Sequence, residues 1–192
     1  MKKDIILAGV GGQGILSIAA IIGTAALGKG LNLKQAEVHG MSQRGGDVQS
    51  NLRISDKEIA SDLIPMGKAD MIISVEPMES LRYLPMLAPD GWLVTNTKPY
   101  INIKNYPEMD TLMAEIEMQP QHIALDADSI ARDMGSPKSA NMVILGAASP
   151  YLDMDYVALQ DAIRSIFGRK GDEVVQVNLD AMEAGRTLAL KK

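Results

Sequence analysis

Two glycine-rich segments near the start of the chain hold the residue types best suited to gripping a ligand: Gly9-Val10-Gly11-Gly12-Gln13-Gly14 and His39-Gly40-Met41-Ser42-Gln43-Arg44-Gly45-Gly46. In the first, an apolar run enters a turn almost without side chains, and a second apolar run follows. Gly9 permits a tight exit from a strand, Gly11 lets backbone approach a ligand, and Gly14 lets the next helix pack closely on the strand. The N–H groups at that helix start, aided by the helix dipole, make Gly9, Gly11, Gly12, Gln13 and Gly14 a candidate anion or cofactor site. Glu37 stands near the end of the next strand-like run, where an acid could receive a ribose hydroxyl. These residues fit a bound dinucleotide or other phosphate and a purely structural tight turn alike.

The second segment offers different chemistry. Arg44, preceded by Ser42-Gln43 and followed by Gly45-Gly46, has the form of a recognition loop. Its guanidinium can hold a carboxylate or phosphate through two parallel hydrogen bonds, and the glycines let a partner's backbone come close. A polar hairpin loop with a solvated arginine is the plainer alternative. His39 reads as a structural histidine rather than a base. No acid–base pair or nucleophile stands out, so no catalytic residue is nominated.

Composition narrows the field. The chain has 192 residues and no cysteine, and its only histidines are His39 and His122. Disulfides and thiolate-bound clusters are excluded, and no metal site is expected. A net charge of −5, with no dense Lys/Arg run, argues against nucleic acid as a partner. Neither a signal peptide nor a membrane span is legible, so the cytoplasm is the expected location. With one Phe, one Trp and thirteen Met, the core is expected to use methionine where rings would otherwise fill space.

These segments must be positioned by an alternation of strands and helices. Residues 4–9 read as a buried parallel strand, 14–29 as a helix apolar on most sides, and 33–39 as a second strand completing a βαβ unit. A hairpin-like loop then leads into an alternating strand over 47–54, antiparallel to its neighbour. Further strands are expected at 69–75, 92–96 (after the Pro89-Asp90-Gly91 turn) and 121–126. A helix is expected over 77–87, and 100–118 reads as a loop with a short helix. Asp126 or Asp128 caps the segment that follows. Three more helices are expected: 139–148, buried nearly all round; 155–167, with a stripe of Val157, Leu159, Ala162, Ile163 and Ile166; and 178–190. Residues 1–192 read as one α/β domain, a Rossmann-like, doubly wound, mostly parallel sheet flanked by helices.

At this point the motifs combine. The Gly9–Gly14 turn, Glu37-Val38-His39-Gly40-Met41-Ser42-Gln43-Arg44-Gly45-Gly46, Glu76-Pro77-Met78-Glu79-Ser80-Leu81-Arg82 and Asn141-Met142-Val143-Ile144-Leu145-Gly146-Ala147 occur in this order. The chain resembles the gamma-type subunit of 2-oxoacid:ferredoxin oxidoreductases over essentially its whole length. His39 and Met41-Ser42-Gln43, where pyruvate-type relatives tend to have a Tyr-Gly-Pro-Glu version of the loop, favour the arylpyruvate branch. The resemblance implies an enzyme whose thiamine diphosphate decarboxylates a 2-oxoacid such as indolepyruvate. Electrons then pass through [4Fe–4S] clusters to ferredoxin, and coenzyme A takes the acyl group. It implies a larger partner subunit carrying the thiamine and iron–sulfur groups, with none firmly bound by this chain. By position it also implies a partner or coenzyme A cleft at His39, Gly40, Ser42, Gln43, Arg44, Gly45, Gly46 and Asn141. From another class, a free-standing NAD- or FAD-binding protein or small reductase remains the alternative.

Overall fold

Ile5, Ile6, Leu7 and Ala8 have no solvent-exposed surface because they run through the middle of a six-stranded sheet. This is seen in a computed structural model that describes residues 1–40 and 45–191. The strands are β1 (Lys2–Val10), β2 (Asn32–His39), β3 (Asp47–Ser55), β4 (Ala69–Ser74), β5 (Leu87–Asn96) and β6 (His122–Leu125). Their spatial order is β2-β3-β1-β4-β5-β6. β1, β4, β5 and β6 are mutually parallel, whereas β3 runs antiparallel to both β1 and β2. The helices are α1 (Ile15–Gly28), α2 (Pro77–Arg82), α3 (Met109–Glu117), α4 (Ala127–Asp133), α5 (Ala140–Ala148), α6 (Tyr156–Phe167) and α7 (Asp172–Ala189).

Strand alternation sorts the apolar residues onto two faces. Ile5, Leu7, Met71, Ile73 and Val94 meet α1 and α4–α7, while Ile6, Ile72 and Leu93 meet Ile64 and Ile116 on the other side. Both faces are covered, which is why β1 and β4 read as unbroken apolar runs. In α1, Ile15, Ile18, Ile21 and Ile22 are all buried, each worth about 1.5–3 kcal/mol on leaving water. Among the described residues, no helix is long and apolar enough to cross a membrane.

Several expectations need correction. β1-α1-β2 is not an adjacent βαβ pair, because β3 inserts between the two strands. The 2–3 hairpin folds back so that buried Ser50, Asn51 and Leu52 take the central place, and β2 becomes a largely exposed edge. The Pro89-Asp90-Gly91 turn lies inside β5: Ala69 pairs with Leu87 but Met71 with Trp92, so the intervening residues bulge out of register. Helix α2 stops at Arg82, and a 3-10 turn over Leu84–Met86 follows, because Pro85 has no N–H with which to continue it. Helix α7 begins at Asp172, with Asp172 and Glu173 favourably placed against the dipole at its N-terminus. Val157 is exposed; the buried stripe of α6 is Leu159, Ala162 and Ile163.

At the far end of β1, Arg53 joins Asp4 through two bonds (2.8 and 3.0 Å) and donates to the carbonyls of Ser61 and Leu63, pinning the segment before β4. Burial alone would raise the Asp4 carboxyl, but hydrogen bonds from Arg53 and Lys2 hold it below the usual carboxylate range.

Helices α5 and α7 cross with their backbones in contact. A Cβ added at Gly146 would lie 1.9 Å from the Met182 carbonyl oxygen, and one at Gly185 would lie 1.9 Å from that of Val143. No rotamer change relieves a clash with backbone. Gly185→Ala is therefore expected to destabilise the chain by about 3 kcal/mol or more, read from the urea midpoint. An unchanged midpoint would refute this contact.

Candidate functional site

The first glycine turn is built by its own glutamine. Gln13 Oε1 accepts from Val10 N–H at 2.8 Å, its backbone N–H donates to the Val10 carbonyl at 3.1 Å, and Nε2 reaches the Val75 carbonyl at 3.4 Å. Gln13 thus ties the end of β1 to the end of β4, and its side chain is committed to the fold. Gly9 sits against Val75, whose Cγ2 would be 2.4 Å from any added Cβ.

The close approach expected at Gly11 is made by the chain itself. Gly11 N–H donates to the Gly46 carbonyl at 2.8 Å, and Gly45 N–H donates back to the Gly11 carbonyl at 3.3 Å. The two glycine-rich segments are therefore paired to each other. Gly45 is held further by Asn102, whose Nδ2 donates to its carbonyl at 2.7 Å, and Gly40 N–H reaches the Asp47 carbonyl at 3.4 Å. Met41, Ser42, Gln43 and Arg44 lie outside the described residues.

Helix α1 opens at Gly14 (φ 82°, ψ 26°) with no side-chain cap and no acidic residue in its first turn. An uncapped N-terminus with a glycine in the left-handed region leaves its first N–H groups directed outward, the arrangement that suits an anion. The reason for Gly14 differs from the expected helix-on-strand packing. Asn141, at the start of α5, lies over it: an added Cβ would be 2.4 Å from Asn141 Nδ2, which instead donates to the Gly14 carbonyl at 3.1 Å.

Two clefts flank this turn. One, of about 460 Å³, is lined by Val10, Gly11, Gly12, Gly14, Ile15, Leu16, Glu37, His39 and Val48. It joins the glycine turn to His39 and Glu37, with an apolar wall between. Glu37 nevertheless belongs to a strand separated from β1 by β3, and Gly11 N–H is already engaged by Gly46. Both points weigh against the dinucleotide geometry. His39 is exposed, with Nδ1 3.1 Å from the Gly40 carbonyl.

The other cleft, of about 380 Å³, is bordered by Gly12, Gln13, Val75, Asn96, Asp128, Lys138 and Asn141. It lies at the carboxyl ends of β1 and β4, where the chain leaves one strand for α1 and the other for α2 on opposite faces. That is the switch point at which open α/β sheets bind ligands. Buried Asn96 organises its floor, donating to the Val75 carbonyl (3.2 Å) and Asp128 Oδ2 (2.7 Å) and accepting from Ala127 N–H (3.0 Å). Asp126 caps α4 by accepting from Ser129 N–H at 2.9 Å, so of the acidic pair it is the cap. Asn96 carried no signal in the sequence, being the last residue of an apolar strand. Asn102 and Tyr83, which hold Gly45 and Asp47, likewise carried no signal in the sequence.

An open α/β sheet with an uncapped glycine turn at its switch point is an arrangement in which such folds bind ligands. Residues 4–188 match the family described as pyruvate ferredoxin/flavodoxin oxidoreductase. The chain is 37% identical, over 99% of its length and 96% of the relative's, to the indolepyruvate oxidoreductase subunit IorB of Archaeoglobus fulgidus. It is 35% identical to the IorB subunit of Methanothermobacter thermautotrophicus, over 96% of each chain. The chain belongs to the pyruvate ferredoxin/flavodoxin oxidoreductase family. The gamma subunit of keto/oxoacid ferredoxin oxidoreductase from Geobacter sulfurreducens superposes with a TM-score of 0.69 at 25% identity, covering 99% of each chain. All of this chain also superposes on 31% of the 2-oxoglutarate:ferredoxin oxidoreductase chain of Magnetococcus marinus, with a TM-score of 0.78 at 24% identity, a likeness of fold.

The Gly14–Asn141 contact can be separated from backbone strain. Gly14→Ala should cost about 1–3 kcal/mol from the left-handed backbone alone, and more from the clash with Asn141. In an Asn141→Ala background only the strain should remain. A double-mutant cycle on the unfolding free energy that closes with no coupling would refute the contact.

Proposed function

We propose that this chain is the cysteine-free, gamma-type subunit of a cytoplasmic 2-oxoacid:ferredoxin oxidoreductase that acts on indolepyruvate or other aryl pyruvates. Its partner is a larger subunit that carries thiamine diphosphate and [4Fe–4S] clusters and passes electrons to ferredoxin. Residues 1–192 act as one gamma-type unit within that assembly. The observation that carries this reading is the identity of 35–37% to indolepyruvate oxidoreductase subunits along nearly the whole chain.

The chemistry of the residues fits such a division. A sequence without cysteine offers no thiolate to an iron–sulfur cluster, so no cluster ligand is assigned here. The uncapped start of α1 suits a phosphorylated ligand, and coenzyme A, the acceptor of the acyl group, is the one this reaction requires besides the partner's thiamine diphosphate. Gly12 and Gly14 would hold coenzyme A through backbone groups, Gly11 braces the turn through its bonds to Gly45 and Gly46, and Ile15, Leu16 and Val48 supply an apolar wall along the same cleft. Gly9 and Gln13 shape the turn. His39, Gly40, Gly45, Gly46 and Asn141 border the cleft or brace it, and the resemblance assigns Ser42, Gln43 and Arg44 to binding coenzyme A or the partner. This subunit shapes and holds; the partner reacts.

Co-expression with a thiamine-binding, cysteine-rich partner should yield a complex that oxidises indolepyruvate with ferredoxin, while the lone chain is inactive. Turnover by the lone chain, or failure to co-purify, would overturn the assignment. Within the complex, Arg44→Ala should weaken assembly or raise the apparent KM for coenzyme A about tenfold, the loss of one charge-assisted hydrogen bond. The melting temperature of the isolated chain should stay within about two degrees.

A further inference from the structure

The Glu76–Arg82 motif plays no part in the reading above, yet it carries two carboxylates that are 0% and 1% exposed. Glu76 is fully engaged. It caps α2 by accepting from Glu79 N–H at 2.8 Å, and it accepts from Tyr100 N–H at 3.1 Å and from the Tyr106 hydroxyl. The segment it holds contains Asn102, which grips the Gly45 carbonyl. Glu79 pairs with Arg82 (2.6 and 3.3 Å) and also comes within hydrogen-bonding reach of Asp47.

Asp47 is the first residue of β3, immediately after Gly46. Its Oδ2 accepts from the Tyr83 hydroxyl at 2.6 Å, but its Oδ1 is buried and has no hydrogen-bond partner among the described residues. Two ionised carboxylates in contact are acceptors only; a bond between them needs a proton on one. A proton on Glu79 satisfies the unpartnered oxygen of Asp47 and removes the repulsion.

We propose that Asp47 and Glu79 share one proton, Glu79 donating to Asp47 Oδ1, and that this bond clamps the Gly45-Gly46 segment against the first glycine turn. Helix α2 then holds that segment from two sides: Glu79 through Asp47, and Glu76 through Tyr100, Tyr106 and Asn102. Between the two grips lie the backbone bonds from Gly45 and Gly46 to Gly11. Asp47 and Glu79 are positioning residues, acting on the cleft only through this backbone.

The surroundings agree. Burial pushes the Glu79 carboxyl up and the neighbouring Asp47 charge adds to it, against the opposing pull of Arg82. Burial and the Asp47 carboxylate likewise raise the Tyr83 phenol, which stays a donor. Among the described residues, the groups facing the pair are Arg82 and Tyr83 from the end of α2, and Tyr106 from the segment before α3. A carboxyl raised in the folded state is protonated below its folded pKa and ionises as pH climbs through it. The clamp is therefore closed below the raised folded pKa of Glu79 and loosens as pH climbs through it.

The test is amide hydrogen exchange at Gly11 and Gly45 in the isolated full chain, corrected for the intrinsic pH dependence of exchange. Across a pH series that starts at the ordinary carboxylate range and rises, protection at both amides should fall by about tenfold in the natural protein. It should be independent of pH in Glu79→Gln and in Asp47→Asn, whose amides donate without titrating. Flat protection in the natural protein, or a pH dependence that survives in either variant, would overturn the shared proton. The readout requires no partner, so it succeeds or fails separately from the subunit assignment. Only the consequence for coenzyme A or partner binding rests on that assignment.

Discussion

Two backbone hydrogen bonds between glycines, Gly11 N–H to the Gly46 carbonyl and Gly45 N–H to the Gly11 carbonyl, set the geometry of everything around the cleft. They bring the turn after β1 and the loop before β3 close enough for main chain to meet main chain. Glycine at both sites keeps side chains out of the way. Because β3 follows directly from Gly46, the same contact continues as the antiparallel β1–β3 ladder, in which Val10 stands opposite Asp47. The position of β3 and the shape of the cleft are one event.

That arrangement bears on how the chain, a member of an oxidoreductase family, uses its polar groups. Its polar groups are spent on holding backbone: Gln13 closes the turn, Asn141 seats on Gly14, Asn96 ties β5 to β4 and α4, and Glu76 anchors the Tyr100–Tyr106 segment. The start of α1, beside the glycine turn, carries no side-chain cap. Under the proposed function, that helix start is where a phosphorylated ligand would be held, with its reacting end on the partner.

Much of this was legible from local pattern. The apolar run over Ile5–Ala8, the all-round apolar α1 ended at Gly28-Lys29-Gly30, the cap at Asp126 and the buried helix after Pro137 all depend on neighbours within a few residues. Local chemistry also misled. Pro89-Asp90-Gly91 has turn residues, yet the sheet absorbs them as a bulge, because pairing on both sides keeps β5 in line. Glu37 sits at the spacing of a ribose-binding acid but belongs to an edge strand, since nothing within that βαβ stretch announces that β3 will wedge into it.

The sequence alone determined the element types, the two glycine segments, the absence of thiolate chemistry and the family, because each is written in residue identity and short-range order. Only the tertiary structure decided which groups those glycines serve. Gly14 answers to Asn141, Gly146 to Met182, and Gly11 to Gly46. Strand order and helix crossing are settled by the burial of whole faces, a property of the assembled chain that no short segment contains.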